Sequence, residues 1–218
     1  ILCYNVLEMP EAFSNFSHIS FLSIVYQYHY EGETKMFTKE DNQILDRILN
    51  ARKTCRAFSE EIPTDEEIKE VIQAGCIAPF ASIDSKAVVP FRHFFVIKKD
   101  DPRLDLIDTL IREQSKLDLE QRIKDEETDT FLKENGAGVH KLWQHVAECG
   151  ESTFPNPPCF IIAAEWRGAR RAERQSLAHM MQNMWIKATA LNLDFQIISV
   201  TENMVDNQAF CDMLGLPT

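Results

Sequence analysis

The sequence predicts an α+β or α/β domain in which one sheet lies between helices. Three observations predict it. Hydrophobic patterns follow one another in the order helix, helix, strand, helices, strand, helix, strand, helix. The runs "HFFVIK" and "CFIIAAEW" are apolar and have strand length, whereas the segment from Glu173 to Leu191 is a long regular helical pattern. At 218 residues the chain suits one sizeable domain, or at most two small ones, and can bury a proper core.

Residues 1–35 read as an N-terminal extension that need not belong to the fold, either an upstream segment or translated leader. The first residue is Ile1, and Met36 opens a far more regular stretch. The alternative is an arm that packs on a partner subunit. The apolar "ISFLSIVYQYHY" at Ile19 to Tyr30 lacks the basic start of a signal peptide, and no run is long enough to span a bilayer.

The domain is expected over residues 36–218. Thr38 caps a first helix whose Ile44, Leu45, Ile48 and Leu49 share one face. A second helix opens on a capping box, Thr64 with Glu67, preceded by Pro63. Its buried stripe is Ile68, Val71, Ile72 and Cys76, and Pro79 stops it. The stretch "APFASIDSKAVVPFR" is a loop, followed by a strand from His93 to Lys98. Asp101 to Gly150 is helical but highly charged, broken by Gly136 and Gly138 before the amphipathic "VHKLWQHVAEC".

"PNPP" delivers the chain into "CFIIAAEW", a strand expected to be buried on both faces. In the long helix that follows, Leu177, Met180, Met181, Met184, Trp185, Ala188 and Leu191 cover more than one face, which places it centrally or in a subunit interface. "LDFQIISV" is a third strand, and "MVDNQAFCDMLGLP" a short helix stopped by Gly215 and Pro217.

Composition narrows the function. Lys and Arg number 23 against 34 Asp and Glu, a net charge of −11 that repels nucleic acid and anionic lipid. The six cysteines (Cys3, Cys55, Cys76, Cys149, Cys159 and Cys211) have no paired spacing, so they read as reduced thiols of a cytoplasmic protein. The histidines show no metal-binding spacing, and no metal is expected.

Against that acidic background "ARKTCRAF" gathers Arg52, Lys53, Thr54 and Arg56. Arg offers a two-pronged fork, Lys a point charge and Thr a hydroxyl, together a grip for a compact anion such as a phosphate. The plainer reading is a solvated helix C-terminus, where the dipole favours cations. A second cluster, Arg167, Arg170, Arg171 and Arg174, reads as a surface patch at a helix start that acts through a diffuse positive field.

Order along the chain adds a resemblance. "ILNARKTCRAFSEEIPTDEEIKEVIQAGCIAP", then "FRHFFVIK", "PPCFIIAAEW", "QSLAHMMQNMWIKATALNLDFQIISV" and "FCDMLGLP" resemble, in sequence, the nitroreductase family of FMN-dependent oxidoreductases. The resemblance runs from about Met36 to Thr218, and the family's final strand and tail are missing beyond it. It implies an α+β fold of three layers, a mixed central sheet flanked by helices, and an obligate homodimer with FMN at the two-fold interface. By position, Arg52, Lys53, Thr54 and Arg56 match the family's FMN-binding turn, contacting phosphate, ribityl chain and pyrimidine edge.

Ala81, Ser82 and Ile83 match the loop that lines the flavin ring, where Phe80 stands for a common Ser and the usual Asn is missing. Ile198, Ser199, Val200 and Thr201 match the stretch whose backbone N–H groups face the other ring edge and N5. No side chain is catalytic in this reading, because the flavin carries the chemistry. The implied activity is ping-pong transfer of hydride from NAD(P)H to a small electron acceptor such as a nitroaromatic or quinone. Cys55, between Thr54 and Arg56, is read as passive, and Gln182 and Asn183 as interface or core hydrogen-bonders.

The alternatives are a non-catalytic flavin-binding or dimerisation module and a reductive dehalogenase of the same fold. A dehalogenase needs a lid over a zwitterionic substrate. Glu113 to Gly138 is the candidate lid but shows no aromatic clamp, so no dehalogenation is expected.

Overall fold

The computed structural model describes residues 36–80, 92–149, 158–165 and 173–216. By its contacts the chain divides into two units, Ile1–Ile44 and Leu45–Thr218. Of the first, only residues 36–44 are described. They hold the start of α1 (Lys39–Ala51), capped as expected: Thr38 Oγ1 accepts from the Asp41 N–H (3.1 Å), and Asp41 accepts from the Thr38 N–H (2.8 Å). No residue of α1 is buried, and Ile44, Leu45 and Leu49 are exposed.

The second unit continues with α2 (Asp65–Cys76), β1 (Arg92–Lys98), α3 (Leu104–Thr128), α4 (Thr130–Asn135) and α5 (Ala137–Cys149). After these come β2 (Cys159–Glu165), α6 (Glu173–Ala190), a 3₁₀ turn (Val200–Met204) and α7 (Gln208–Leu214). The Thr64–Glu67 box closes both ways at the start of α2, and its hydrogen bonds hold the Glu67 carboxyl below its usual range. Asn207 caps α7, and Gly215 ends it in the left-handed region at φ 67°, where a side chain is disfavoured.

β1 and β2 pair antiparallel from Arg92 opposite Glu165 to Lys98 opposite Cys159. Because side chains alternate across a strand, the two faces enter different cores. Phe95, Ile97, Phe160 and Ile162 meet α3, α5, the 3₁₀ turn and α7 through Ile107, Leu110, Ile111, Val146, Met204 and Phe210. Phe94, Ile161 and Ala163 meet α2 and α6 through Val71, Met180, Met184 and Ala188. The sheet is thus the middle of three layers. A fully buried side chain of this size, such as Ile97 or Met180, contributes about 1.5–3 kcal/mol. α2 and α6 touch closely at Gly75, where an added Cβ would stand 2.9 Å from Met184 Cγ.

Several expectations change. "LDFQIISV" forms no strand but one parallel bridge, Thr54 with Phe195, because pairing is confined to that one point and a strand needs a partner over several residues. Among the described residues the sheet therefore has two strands, both faces covered yet every residue of β2 half-buried. Cys76 is exposed, Ile72 is half-buried, and Gly75 takes their place in the α2 stripe. Gly136 caps α4, but Gly138 lies inside α5, where a lone glycine costs only about 1 kcal/mol. α6 buries one face alone, Ser176, Met180, Met184 and Ala188 with Trp185, while Ala178, His179 and Gln182 are exposed.

One buried ion pair ties the layers. The Arg92 guanidinium meets Glu165 Oε1 through Nε, the carbonyls of Gly75 (3.0 Å), Cys76 (3.2 Å) and Ala78 (2.6 Å) through Nη1, and Pro79 O (2.9 Å) and Ser176 Oγ (3.2 Å) through Nη2. It caps the C-terminus of α2, where the last carbonyls lack helical partners, and joins it to both strands and α6. Replacing Arg92→Met strands a buried carboxylate and these carbonyls. Thermal or urea unfolding of that variant is expected to show a loss of about 3–5 kcal/mol; a loss below 1 kcal/mol would show that this junction is dispensable.

A turn after β1 supplies a pH-dependent contribution. Hydrogen bonds from the Arg103 side chain and backbone lower the Asp101 carboxyl from 3.8 to about 2. A depressed carboxyl stabilises the fold fully above its unfolded value, and this is lost as pH falls from about 4 through about 2. Asp101→Asn should flatten the stability profile in that window alone, as read by unfolding at successive pH values.

Candidate functional site

The basic turn begins where α1 ends, with the Arg52 N–H still bonded to Ile48 O (3.1 Å). The chain then extends and docks: Thr54 pairs parallel with Phe195, and the Cys55 N–H donates to Phe195 O (3.1 Å). Cys55 Sγ turns back onto Ala57 O (3.0 Å), so this thiol serves the local turn. Lys53, Thr54 and Arg56 are exposed, while Arg52 is half-buried with its guanidinium 4.2 Å from the centre of the Trp185 ring. Trp185 stacks on Phe195 in turn, at 5.8 Å between centroids and 25° between planes.

Phe195 is delivered there by a reversal at the end of α6. Asn192 takes a left-handed φ of 60°, a conformation that Asn tolerates well, and the Leu193 N–H bonds back to Ala188 O (2.9 Å). The chain then runs beside the basic turn in the same direction and reaches Ile198–Thr201. Ile198 and Val200 pack into the core on the α3 side of the sheet, Ser199 is exposed and Thr201 is half-buried. The 3₁₀ turn's first amide bond is Glu202 N–H to Ser199 O (3.0 Å), so the N–H groups of Val200 and Thr201 stand at the open start of that turn.

The structure therefore brings together Arg52, Lys53, Thr54 and Arg56 with the segment that leads to Ile198, Ser199, Val200 and Thr201. Ala81, Ser82 and Ile83 lie outside the described residues, as do Arg167, Arg170 and Arg171. Their neighbour Phe80 lies near the Arg92 guanidinium at 5.7 Å. Arg174 pairs with Glu202 (2.7 Å), an exposed contact that contributes little. Asn183 donates to Ala74 O (3.3 Å) across the α2–α6 contact, whereas Gln182 is exposed.

Positive charge is concentrated in this turn, which sets three cations within five residues. Among the described residues no carboxylate pairs with Arg52, Lys53 or Arg56, although Lys98, Lys99, Arg103, Arg112, Arg122 and Lys187 all have one. In a chain of net charge −11, three cations gathered within five residues without an acidic partner make a local positive field that favours an anion. A separate open groove of about 550 Å³ lies on α3 and α5, lined by Leu119, Ile123, His140 and Gln144 among others, and takes in none of these residues. Among the described residues no cluster of His, Cys, Asp or Glu could hold a metal, and no helix is long and apolar enough to cross a membrane.

Sequence reasoning missed Trp185 and Phe195 as neighbours of the turn, and Arg92 with Glu165 altogether. Trp185 read as one more apolar position of α6. Arg92 and Glu165 sit at the ends of two apolar runs, where only the strand register reveals that they face each other.

Comparison with known proteins agrees with this geometry. Residues 49–218 match the model of the nitroreductase family. No curated protein matches the chain. Among solved structures it is similar to an FMN-bound nitroreductase from Bacteroides fragilis, at 17% identity and a TM-score of 0.54 over 79% of this chain and 80% of that one. An FMN-bound nitroreductase from Desulfitobacterium hafniense DCB-2 is similar at 17% identity and a TM-score of 0.53, over 80% and 81%. At such identities the likeness is one of fold. The chain belongs to the nitroreductase family.

Proposed function

We propose that the protein holds FMN at the basic turn and works as an NAD(P)H-dependent oxidoreductase on a small organic acceptor such as a nitroaromatic or quinone, by a ping-pong course. The observation that carries this is the set of cations at Arg52, Lys53 and Arg56 without acidic partners. Their donor chemistry fits the cofactor. Arg52 and Thr54 offer a fork and a hydroxyl to a phosphate, and the exposed Arg56 adds a second fork in the same turn.

When bound, FMN supplies the centre that accepts and donates hydride. The residues of this chain bind and orient. A cation at Arg56 near the pyrimidine edge favours negative charge there, and the amides of Val200 and Thr201 offer donors that need no particular side chain. The burial of Ile198 and Val200 fixes those amides in place. A second copy of the chain completes the site in this reading, which the exposed apolar positions Ile44, Leu45 and Leu49 of α1 support.

The test is the visible spectrum of the purified chain with FMN, followed by NADPH under argon. Yellow protein that bleaches is expected, and Arg56→Ala should weaken FMN by about tenfold or more, as for a lost charge-assisted hydrogen bond. Yellow protein that never bleaches would reduce the protein to a flavin-binding module. A colourless chain in excess FMN would contradict the reading.

A further inference from the structure

Arg52 has an aromatic partner where Lys98, Arg103, Arg112 and Arg122 have carboxylates. Its guanidinium lies 4.2 Å from the centre of the Trp185 ring, the separation of facial contact, and no carboxylate among the described residues pairs with it. The two kinds of partner differ in what they leave behind. A carboxylate neutralises the guanidinium and occupies its N–H edge. An indole face attracts the cation through its quadrupole, adds no negative charge, and leaves the in-plane donors open. Trp185 is itself held: 9% exposed on the buried side of α6, stacked on Phe195, and next to Met184, which packs at Gly75. Phe195 in turn anchors the basic turn through its carbonyl to Cys55. The ring and the turn that it serves are therefore tied to one point.

We propose that Trp185 is a positioning residue for the phosphate end of the cofactor, holding Arg52 as a preorganised and uncompensated cation. This rests on the FMN reading above. It makes Trp185 a determinant of selectivity for a phosphorylated flavin over an unphosphorylated one. Isoalloxazine contacts are shared by FMN and riboflavin, so Trp185 acts on their difference. Ordering Arg52 in advance also lowers the entropy lost on binding.

The test is the ratio of riboflavin to FMN dissociation constants, measured by quenching of flavin fluorescence at fixed ionic strength. Wild-type protein should favour FMN by about tenfold or more, as a charge-assisted phosphate contact provides. Trp185→Leu should cut the ratio by about tenfold and Trp185→Phe, with its weaker quadrupole, by about threefold. In an Arg52→Ala background Trp185→Phe should change the ratio no further, because the coupling partner is gone. Trp185→Phe keeps the ring and the fold if the leucine variant does not fold.

A purely structural Trp185 would raise both constants together and leave the ratio unchanged, which would overturn the proposal while the flavin reading stood. Wild-type protein that binds neither flavin, or both equally, would overturn the phosphate assignment and this inference with it.

Discussion

The Arg92–Glu165 pair is the constraint on which the arrangement depends. A guanidinium buried without partners is prohibitively costly, so its place is fixed by everything that satisfies it. Here that is one carboxylate, four backbone carbonyls and a hydroxyl, drawn from α2 and the segment after it, from β2 and from α6. The pair also fixes the strand register, since sliding β1 by one residue would move Arg92 to the opposite face of the sheet. Glu165 Oε2 remains buried without a hydrogen-bond donor among the described residues, a cost the pair bears for that placement.

The candidate site lies where this scaffold meets a less regular part of the chain. α6 is held against α2 by the Met180 and Met184 packing at Gly75, by Asn183, and by the Lys187–Glu70 ion pair (2.6 Å). Its buried Trp185 and the Phe195 beyond its end then receive the basic turn. The rigid layers thus position the donors, and the turn supplies charge. A flat acidic surface would repel the same ligand, so the local exception in charge matters more than the mean.

What could be read from sequence was what sequence decides locally. The Thr38 and Thr64 caps, the Asn207 to Gly215 limits of α7, and the strands at Arg92 and Cys159 depend on neighbours a few residues away. The basic turn was legible because its residues are contiguous, and the order of motifs placed the chain in its family. The third strand was not, because pairing belongs to the partner: Phe195 has the right pattern but only Thr54 beside it. Arg92 with Glu165 and Arg52 with Trp185 are long-range pairs, and nothing in either member's local sequence names the other. Gly138 misled because a lone glycine in the first turn of a helix costs little, and α5 is held at Val146 and Ala147 by its buried face.

The central proposal is one of place, with the cofactor's phosphate at the basic turn and its ring toward Val200 and Thr201. A crystal structure of the FMN-loaded protein tests it most directly. The account predicts the phosphate within hydrogen-bonding distance of Arg52 and the Thr54 hydroxyl, with Arg52 still stacked on Trp185. FMN seated elsewhere, in the groove between α3 and α5 for instance, or a phosphate that touches none of Arg52, Lys53, Thr54 and Arg56, would contradict it.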